Sequence, residues 1–576
     1  MRPNVQAAAA IAQSLKERGV KRVYALCGGH IMPIWMAIAD EGIEIVDVRD
    51  ERSAVYMAHA SAAMGEDLGV ALVTAGPGVT NAMTGIANAH MSRMPVLVIS
   101  GVPPTPQENR GALQDMSHVD LVRSITRYAR TVRHPHAILR ELDTAINCAR
   151  GYLGEPGPAF LDIPVDVQRS PVPQNLLSTE HLKGTPKPSF HACPALLDDA
   201  ARAIAQSERV LVISGRGANS AAAELITFLS ASRAAYLDTG ETKGVVPENH
   251  GSQIAAMRGS AMTQADLVIT VGRKLDFQLA FGSPAVFGNA KFIRVSDSPT
   301  ELLDNRSSEI ALLGDVAATL NGLAQRLEGS GIGGSRNWLA ELREAHLARA
   351  AKFEAQLDAA EEDAAGRIHP NKLLAEIRKR LDPQAIVIAD GGDFLSFARV
   401  ALNGKSYLDP GPLGCIGIAT PFAIGAAKAC PERQVVAVTG DGSFGFTAIE
   451  VDTAVRHRVP IMLVVSNNGA WAIEVRDQQE NFGKVVGTRL QVADHAAMAR
   501  SFGMKAWRIE HHKDIPDVLD EAFATLASGS PVLIDALTSP EAVSSDSKSG
   551  LAWVPDYQAL EAWDTAERQW LEVGAR

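Results

Sequence analysis

Asp441 and Asn468 stand 27 residues apart, each directly behind an apolar run, VVAVTG before the acid and IMLVVSN before the amide. Oxygen donors of this kind suit Mg²⁺ or Ca²⁺, and Mg²⁺ completes its octahedron with phosphate oxygens and water. Gly440 and Gly442 flank the acid, and their backbone N–H groups offer a place for a diphosphate. The spacing predicts the elements that hold these groups. Val435 to Thr439 reads as a buried strand, Gly440 to Ser443 as a tight glycine turn, and Ile449, Val451, Ala454 and Val455 as one face of a helix; Ile461 to Val465 is a second strand, ending in Asn467-Asn468. Such a βαβ unit brings both donors to the carboxyl edge of a parallel sheet, where open α/β sheets bind ligands. An ordinary βαβ turn shares the local pattern, so the wider spacing and the partner motifs must decide.

The GDG, the 24 residues 443–466 and the following NN resemble the thiamine diphosphate (ThDP) signature of the acetolactate synthase and 2-hydroxyacyl-CoA lyase superfamily. The resemblance runs to about residue 540. It implies an α/β protein of three doubly wound domains: a ThDP pyrimidine-binding domain over 1–180, a central Rossmann-like domain over 190–335, and a diphosphate- and Mg²⁺-binding domain over 366–540. The tail 541–576 would then be available as an active-site lid.

The pattern along the chain fits. Helix and strand alternate through VYALC, IEIVDV, VALVTAG and VLVIS; a proline-rich stretch around Pro171, Pro173, Pro186 and Pro188 reads as a linker; VLVISG, DLVITVG and KFIRVSD form a second alternating unit. A charged, alanine-rich helix over about 337–365 connects to the third. At 576 residues, and roughly 150 residues per domain, three or four units are expected. A net charge of −11 indicates no general affinity for nucleic acid or an anionic membrane. Five scattered cysteines without a CxxC pair argue against a disulfide framework or a zinc site and for a reducing cytoplasm. The first 20 residues read as an amphipathic helix rather than a signal or transmembrane segment.

In the first domain Glu51 follows a strand at a helix start. Charge complementarity with the helix N-terminus accounts for an acid there; the resemblance implies more, a glutamate that hydrogen-bonds the aminopyrimidine of ThDP and drives its tautomer change. Gly76-Pro77-Gly78 is expected to bring backbone close to a partner surface. Asn81 is expected to cap or to contact cofactor. His30 stands where acetolactate synthases carry a small apolar residue, and Gln114 where the family presents a glutamine to the reacting centre. A histidine there suits proton transfer near neutral pH, although a satisfied loop histidine is the plainer reading.

In the central domain VGRKLDFQLAFG and KGVVPENHGSQIAAMRGSAM resemble the segments of the CoA-dependent branch. The resemblance implies nucleotide or CoA contacts at Arg216, Arg258, Arg273, Asp297 and Asp315; it leaves ADP open as a ligand of this domain and disfavours FAD. An arginine fork suits phosphate, and an acid after a Rossmann-type strand suits ribose. In the third domain the resemblance implies ThDP contacts at Gly391, Gly392, Asp393, Gly442, Ser443, Asn468, Ala470 and Trp471. It makes Ile416 the wedge between the rings and the Gly414 carbonyl an acceptor. The metal ligands would be Asp441, Asn468 and the Ala470 carbonyl. Glu474 is a second departure from the apolar synthase pattern; if buried, its carboxyl would be raised and could serve as a base.

These readings imply a ThDP and Mg²⁺ enzyme cleaving a 2-hydroxyacyl-CoA to formyl-CoA and an aldehyde or ketone, with Glu51, His30, Gln114 and Glu474 as catalytic residues. Its partners would be an acyl-CoA substrate and a second copy of itself, as a homodimer or homotetramer with active sites between subunits. A 2-oxoacid carboligase of acetolactate synthase type, or a degenerate regulatory subunit of the same fold, are the competing readings.

Overall fold

The computed structural model describes residues 5–188, 190–328 and 337–544, with the single positions 568 and 572. Apart from those two positions, the tail beyond 544, expected as a lid, lies outside the described residues.

Three sheets account for the strands. The first contains β1 (Arg22–Ala25), β2 (Glu44–Asp47), β3 (Gly69–Val73), β4 (Val96–Val102), β5 (Tyr128–Thr131) and β6 (Ala159–Pro164), in the order β2-β1-β3-β4-β6-β5, every pair parallel. The second contains β7 (Val210–Ser214), β8 (Ala235–Leu237), β9 (Leu267–Val271), β10 (Lys291–Ser296) and β11 (Ile310–Leu313), ordered β11-β10-β9-β7-β8 and again parallel. The third contains β12 (Ile386–Ala389), β13 (Ser406–Leu408), β14 (Val435–Gly440), β15 (Met462–Asn467), β16 (Lys505–Ile509) and β17 (Val532–Leu537), ordered β13-β12-β14-β15-β17-β16. Numbered from its own first strand, the third sheet has the order of the first. Parallel strands covered by helices on both faces must be apolar throughout, and Val96 to Ile99 and Val435 to Val438 are buried without alternation.

The described residues up to 188, with 385–395 and 408–540, form one compact unit holding the first sheet and all of the third except most of β13; residues 190–384 with 396–407 form another around the second sheet. Inside the first unit the helix Glu51–Ala63 lies on the helix Ala419–Ala429. Ser61 Oγ donates to the Gly425 carbonyl at 3.0 Å, and Tyr56 meets Phe422 edge-on with centroids 6.0 Å apart. A Cβ on Gly425 would fall 2.3 Å from the Met57 carbonyl oxygen, so glycine is what permits this approach.

One local expectation is corrected. Asp441 does not sit in a tight turn; it opens the helix Asp441–Thr447, and a second helix, Glu450–Arg456, follows. Gly440 is extended, at φ −77° and ψ 157°, and an acid in the first turn complements the helix dipole. Gly442 keeps a negative φ, so no reversal is needed there. The connecting helix spans Asn337–Asp358. Among the described residues no helix is long and apolar enough to cross a membrane, and the five cysteines are unpaired.

Candidate active site

Glu51 is the first residue of its helix and 5% exposed. Asp50 precedes it as the cap, accepting the Arg52 N–H at 2.8 Å. The Glu51 carboxylate is steadied by Asn81, whose Nδ2 donates to Oε2 at 3.0 Å. The helix Pro77–Met91 has Gly76 as its cap, so of the two expected roles of Asn81 the capping one is not seen.

Between Glu51 and the His30 loop lies the turn Gly76-Pro77-Gly78. Gly76 has φ +61°, and a Cβ there would lie 2.9 Å from the Gln114 Cβ; a Cβ on Gly78 would lie 3.5 Å from Glu51 Oε1. Gln114 itself holds φ +64°, a left-handed conformation unusual for a side chain of its size. Its amide lies near His30, which occupies a short 3₁₀ turn after β1. Desolvation pushes the His30 imidazole below its ordinary value, and the Gln114 side chain acts the other way. The His30 carbonyl is anchored by Gln168 Nε2 at 2.7 Å. The structure thus brings Glu51, Gln114 and His30 around one turn.

The third sheet supplies the oxygen donors. Gly440 of β14 pairs with Ser466 of β15, so Asp441 and Asn468 emerge side by side. Asp441 Oδ2 accepts the Gly469 N–H at 2.8 Å, Oδ1 accepts the Gly442 N–H at 2.9 Å, and Asn468 Oδ1 accepts the Ala470 N–H at 3.1 Å. Burial pushes the Asp441 carboxyl up to about 6; the two backbone donors offset this only in part, and Asp535 adds repulsion. A buried carboxylate, an amide oxygen and a nearby carbonyl form the hard donor set that Mg²⁺ takes, and a cation would supply the missing charge. Among the described residues no cluster of three or more His, Cys, Asp or Glu side chains offers another metal centre. The backbone cradle fits a diphosphate as well. A Cβ on Gly442 would enter the Trp471 ring at 2.6 Å, and Gly391, at φ +87°, leaves only 3.3 Å between its own Cβ position and the Gly440 nitrogen. Gly414, at φ +68°, faces open space, and Ile416 beside it is half-buried.

Two expected cofactor residues have other partners. Ser443 Oγ accepts the Gly417 N–H at 2.8 Å and hydrogen-bonds Asp390, which leaves its backbone N–H for an anion. Asp393 is ion-paired with Arg476. Glu474 was expected to matter if buried; it is instead exposed at the start of the helix Ala472–Phe482. Partial desolvation and the Asp393 carboxylate still raise its carboxyl above the ordinary range. Among the described residues no hydrogen bond joins Glu474 to Glu51, His30 or Gln114.

In the central domain the arginines serve the fold first. Arg273 is fully buried and donates to Glu241, Asp276 and Gln278. Arg216 lies between Glu301, at 3.3 Å, and the more exposed Asp297, at 3.6 Å. Arg258 donates to the Asp238 and Gln278 carbonyls. Asp315 caps the helix Val316–Glu328 by accepting the Ala318 N–H at 2.9 Å.

Sequence reasoning missed several residues. Asp390, fully buried at the end of β12, accepts from the backbone N–H groups of Gly391, Gly417 and Ala419, tying the cofactor cradle together. Its signal was available, an acid directly behind the apolar run AIVIA. His118 and Asp162 pair inside the first domain, 44 residues apart; the acid in AFLDIP was the one visible clue. Glu450, buried, accepts from the Arg49 N–H at 3.2 Å, and burial pushes its carboxyl up to about 7.

Comparison with known proteins adds independent findings. Residues 5–121 match the family described as thiamine pyrophosphate enzyme, N-terminal TPP binding domain; residues 197–323 match the central domain of that enzyme type, and 390–536 its C-terminal TPP binding domain. A probable acetolactate synthase from Mycobacterium bovis is 32% identical, covering 92% of this chain and 95% of the relative. 2-Hydroxyacyl-CoA lyase 2 from Homo sapiens is 30% identical over 92% of this chain and 89% of its own length. The Caenorhabditis elegans protein of the same name is 31% identical, with 90% and 87% covered.

Proposed function

The chain belongs to the thiamine pyrophosphate enzymes of the acetolactate synthase and 2-hydroxyacyl-CoA lyase group, and from that premise we propose that it cleaves a 2-hydroxyacyl-CoA to formyl-CoA and an aldehyde or ketone. The observation that carries this reading is the turn that packs on Gln114 at one end and reaches Glu51 at the other, with His30 near enough to Gln114 to feel its amide. Breaking C1–C2 of such a substrate requires removal of the 2-hydroxyl proton, and decarboxylation of a 2-oxoacid makes no such demand.

ThDP, when bound, supplies the nucleophilic carbon and the sink for the electron pair of the broken bond. Asp441, Asn468 and the Ala470 carbonyl would hold Mg²⁺, and the backbone at Gly442, Ser443, Gly391 and Gly392 the diphosphate. Glu51, steadied by Asn81, would hold the aminopyrimidine. His30 or Glu474 would take the 2-hydroxyl proton as C2 becomes a carbonyl, and a proton is returned to C1 before formyl-CoA leaves, so the proton count closes. Gln114 orients His30. Arg216, Arg258 and Asp297 are the candidates for CoA or ADP contacts; Arg273 and Asp315, committed inside the domain, support these positions. The protein would act as a homodimer or homotetramer, Glu51 of one subunit serving the metal site of the other.

A 2-oxoacid carboligase is the second reading, supported by the mycobacterial relative. The test is turnover of a 2-hydroxyacyl-CoA beside pyruvate, with formyl-CoA and acetolactate measured by mass spectrometry. Acetolactate without formyl-CoA would overturn the lyase reading.

A further inference from the structure

His118 has no part in the chemistry outlined above, yet it is fully enclosed at one of the most constrained points of the first domain. Its Nε2 lies 2.8 Å from the Gly76 nitrogen. A main-chain N–H can only donate, so Nε2 must carry its lone pair and the ring proton must sit on Nδ1. That Nδ1–H points at the Asp162 carboxylate, 3.1 Å from Oδ2 and 3.2 Å from Oδ1. Asp162 is itself buried on β6, between β4 and β5 of the parallel sheet. The ring is therefore fixed in tautomer and orientation by the sheet, and it presents a single acceptor to a single backbone donor.

That donor belongs to Gly76, whose φ of +61° packs the turn directly on Gln114. Gln114 carries a left-handed backbone of its own. Glycine adopts its conformation freely, but the one at Gln114 costs free energy and persists only when the surroundings enforce it. The buried His118–Asp162 pair is the enforcing contact that reaches the turn from the sheet.

We propose that His118 is a positioning residue for the active site: held by Asp162, it fixes the Gly76 N–H and so sets where Gln114 sits in the site, beside His30. This rests on the reading of His30 and Gln114 as catalytic groups. A shift of about 1 Å in such a pair is enough to cost on the order of 10²-fold in rate.

The test compares H118L and H118M, which remove the acceptor, with H118Q, whose Oε1 reaches the Gly76 N–H. With the full-length holoenzyme and a 2-hydroxyacyl-CoA, the two apolar variants should lose about 10- to 100-fold in kcat, with KM within about threefold and ThDP affinity in calorimetry unchanged. H118Q should recover most of the loss. Wild-type kcat in either apolar variant, equal impairment of H118Q and the apolar variants, or a parallel loss of ThDP affinity would overturn the proposal. A structural arm is independent of substrate identity: the crystal structure of whichever apolar variant folds should show the Gly76 turn and Gln114 displaced, and an unchanged turn would overturn the proposal. If the wild-type enzyme leaves 2-hydroxyacyl-CoA untouched, the lyase reading fails while this arm still decides the role of His118.

Discussion

Asn81 Nδ2 donates to Glu51 Oε2 at 3.0 Å, so the acid at the head of one helix is aimed by the first turns of the next. A carboxylate bonded this way keeps one oxygen occupied and offers the other. Asn81→Ala should therefore weaken aim without removing charge, and Glu51→Gln should remove the charge while keeping the shape. We expect Glu51→Gln to bind ThDP normally and to lose about 10² to 10⁴-fold in turnover, with Asn81→Ala showing a smaller loss. Exchange of the ThDP C2 proton, followed by NMR after quench, is the direct measurement. Wild-type exchange in Glu51→Gln would remove this residue from catalysis.

Metal and diphosphate should be lost together when Asp441 is removed. Asn468 and the Ala470 carbonyl are neutral, so Asp441→Ala leaves no formal negative charge among the expected ligands to hold a divalent cation against the diphosphate. Calorimetry with ThDP and Mg²⁺ should show no binding at concentrations that saturate the wild type. Unchanged affinity would place the cofactor elsewhere.

His59 makes the fold sensitive to acid. It is fully buried against Phe422, its Nδ1 has no hydrogen-bond partner among the described residues, and burial pushes its pKa down to about 3. The sign follows from linkage: below the ordinary value of 6.5 the unfolded chain takes a proton that the folded chain refuses, so stability falls as pH drops from 6.5 toward 3. The slope from this one group approaches about 1.4 kcal/mol per pH unit. Urea unfolding at several pH values should show a flatter acid limb in His59→Leu than in the wild type. Parallel curves would show that the imidazole is protonated in the folded state.

The strands that the sequence reveals are those whose burial is uniform. Val435–Gly440 is read to within one residue and the start of Val96–Val102 to the residue, because both open on an unbroken apolar run; past Ser100 the second is read two residues short. Tyr128–Thr131 and Lys505–Ile509 escape notice, since each lies at the edge of its sheet and mixes charged with apolar residues. The shared strand order of the first and third sheets is equally hidden, being a property of connections rather than of residues. In the site, Asp441, Asn468 and Glu51 are visible because each stands at a strand or helix end. His118 and Asp162 are not, because a sheet 44 residues away supplies the second half of the pair.

His30 and Glu474 carry the final prediction, because either could be the base and each has a pKa displaced in a known direction. A base works only when deprotonated, so turnover falls as pH drops through its pKa. Desolvation lowers His30 from 6.5, so an acid limb governed by His30 should lie below that value. Partial desolvation and Asp393 raise Glu474 from 4.5, so a limb governed by Glu474 should lie above it. The two ranges overlap, and only substitution separates them: His30→Asn and Glu474→Gln should each lower kcat with ThDP affinity intact, by about 10² to 10⁴-fold for the true base. The acid limb of the kcat profile should also vanish in that variant and persist in the other. Gln114→Ala should move the limb attributed to His30 further down, because the Gln114 side chain favours the charged imidazole. Near-normal turnover in both His30→Asn and Glu474→Gln would place the hydroxyl base elsewhere and favour the carboligase reading.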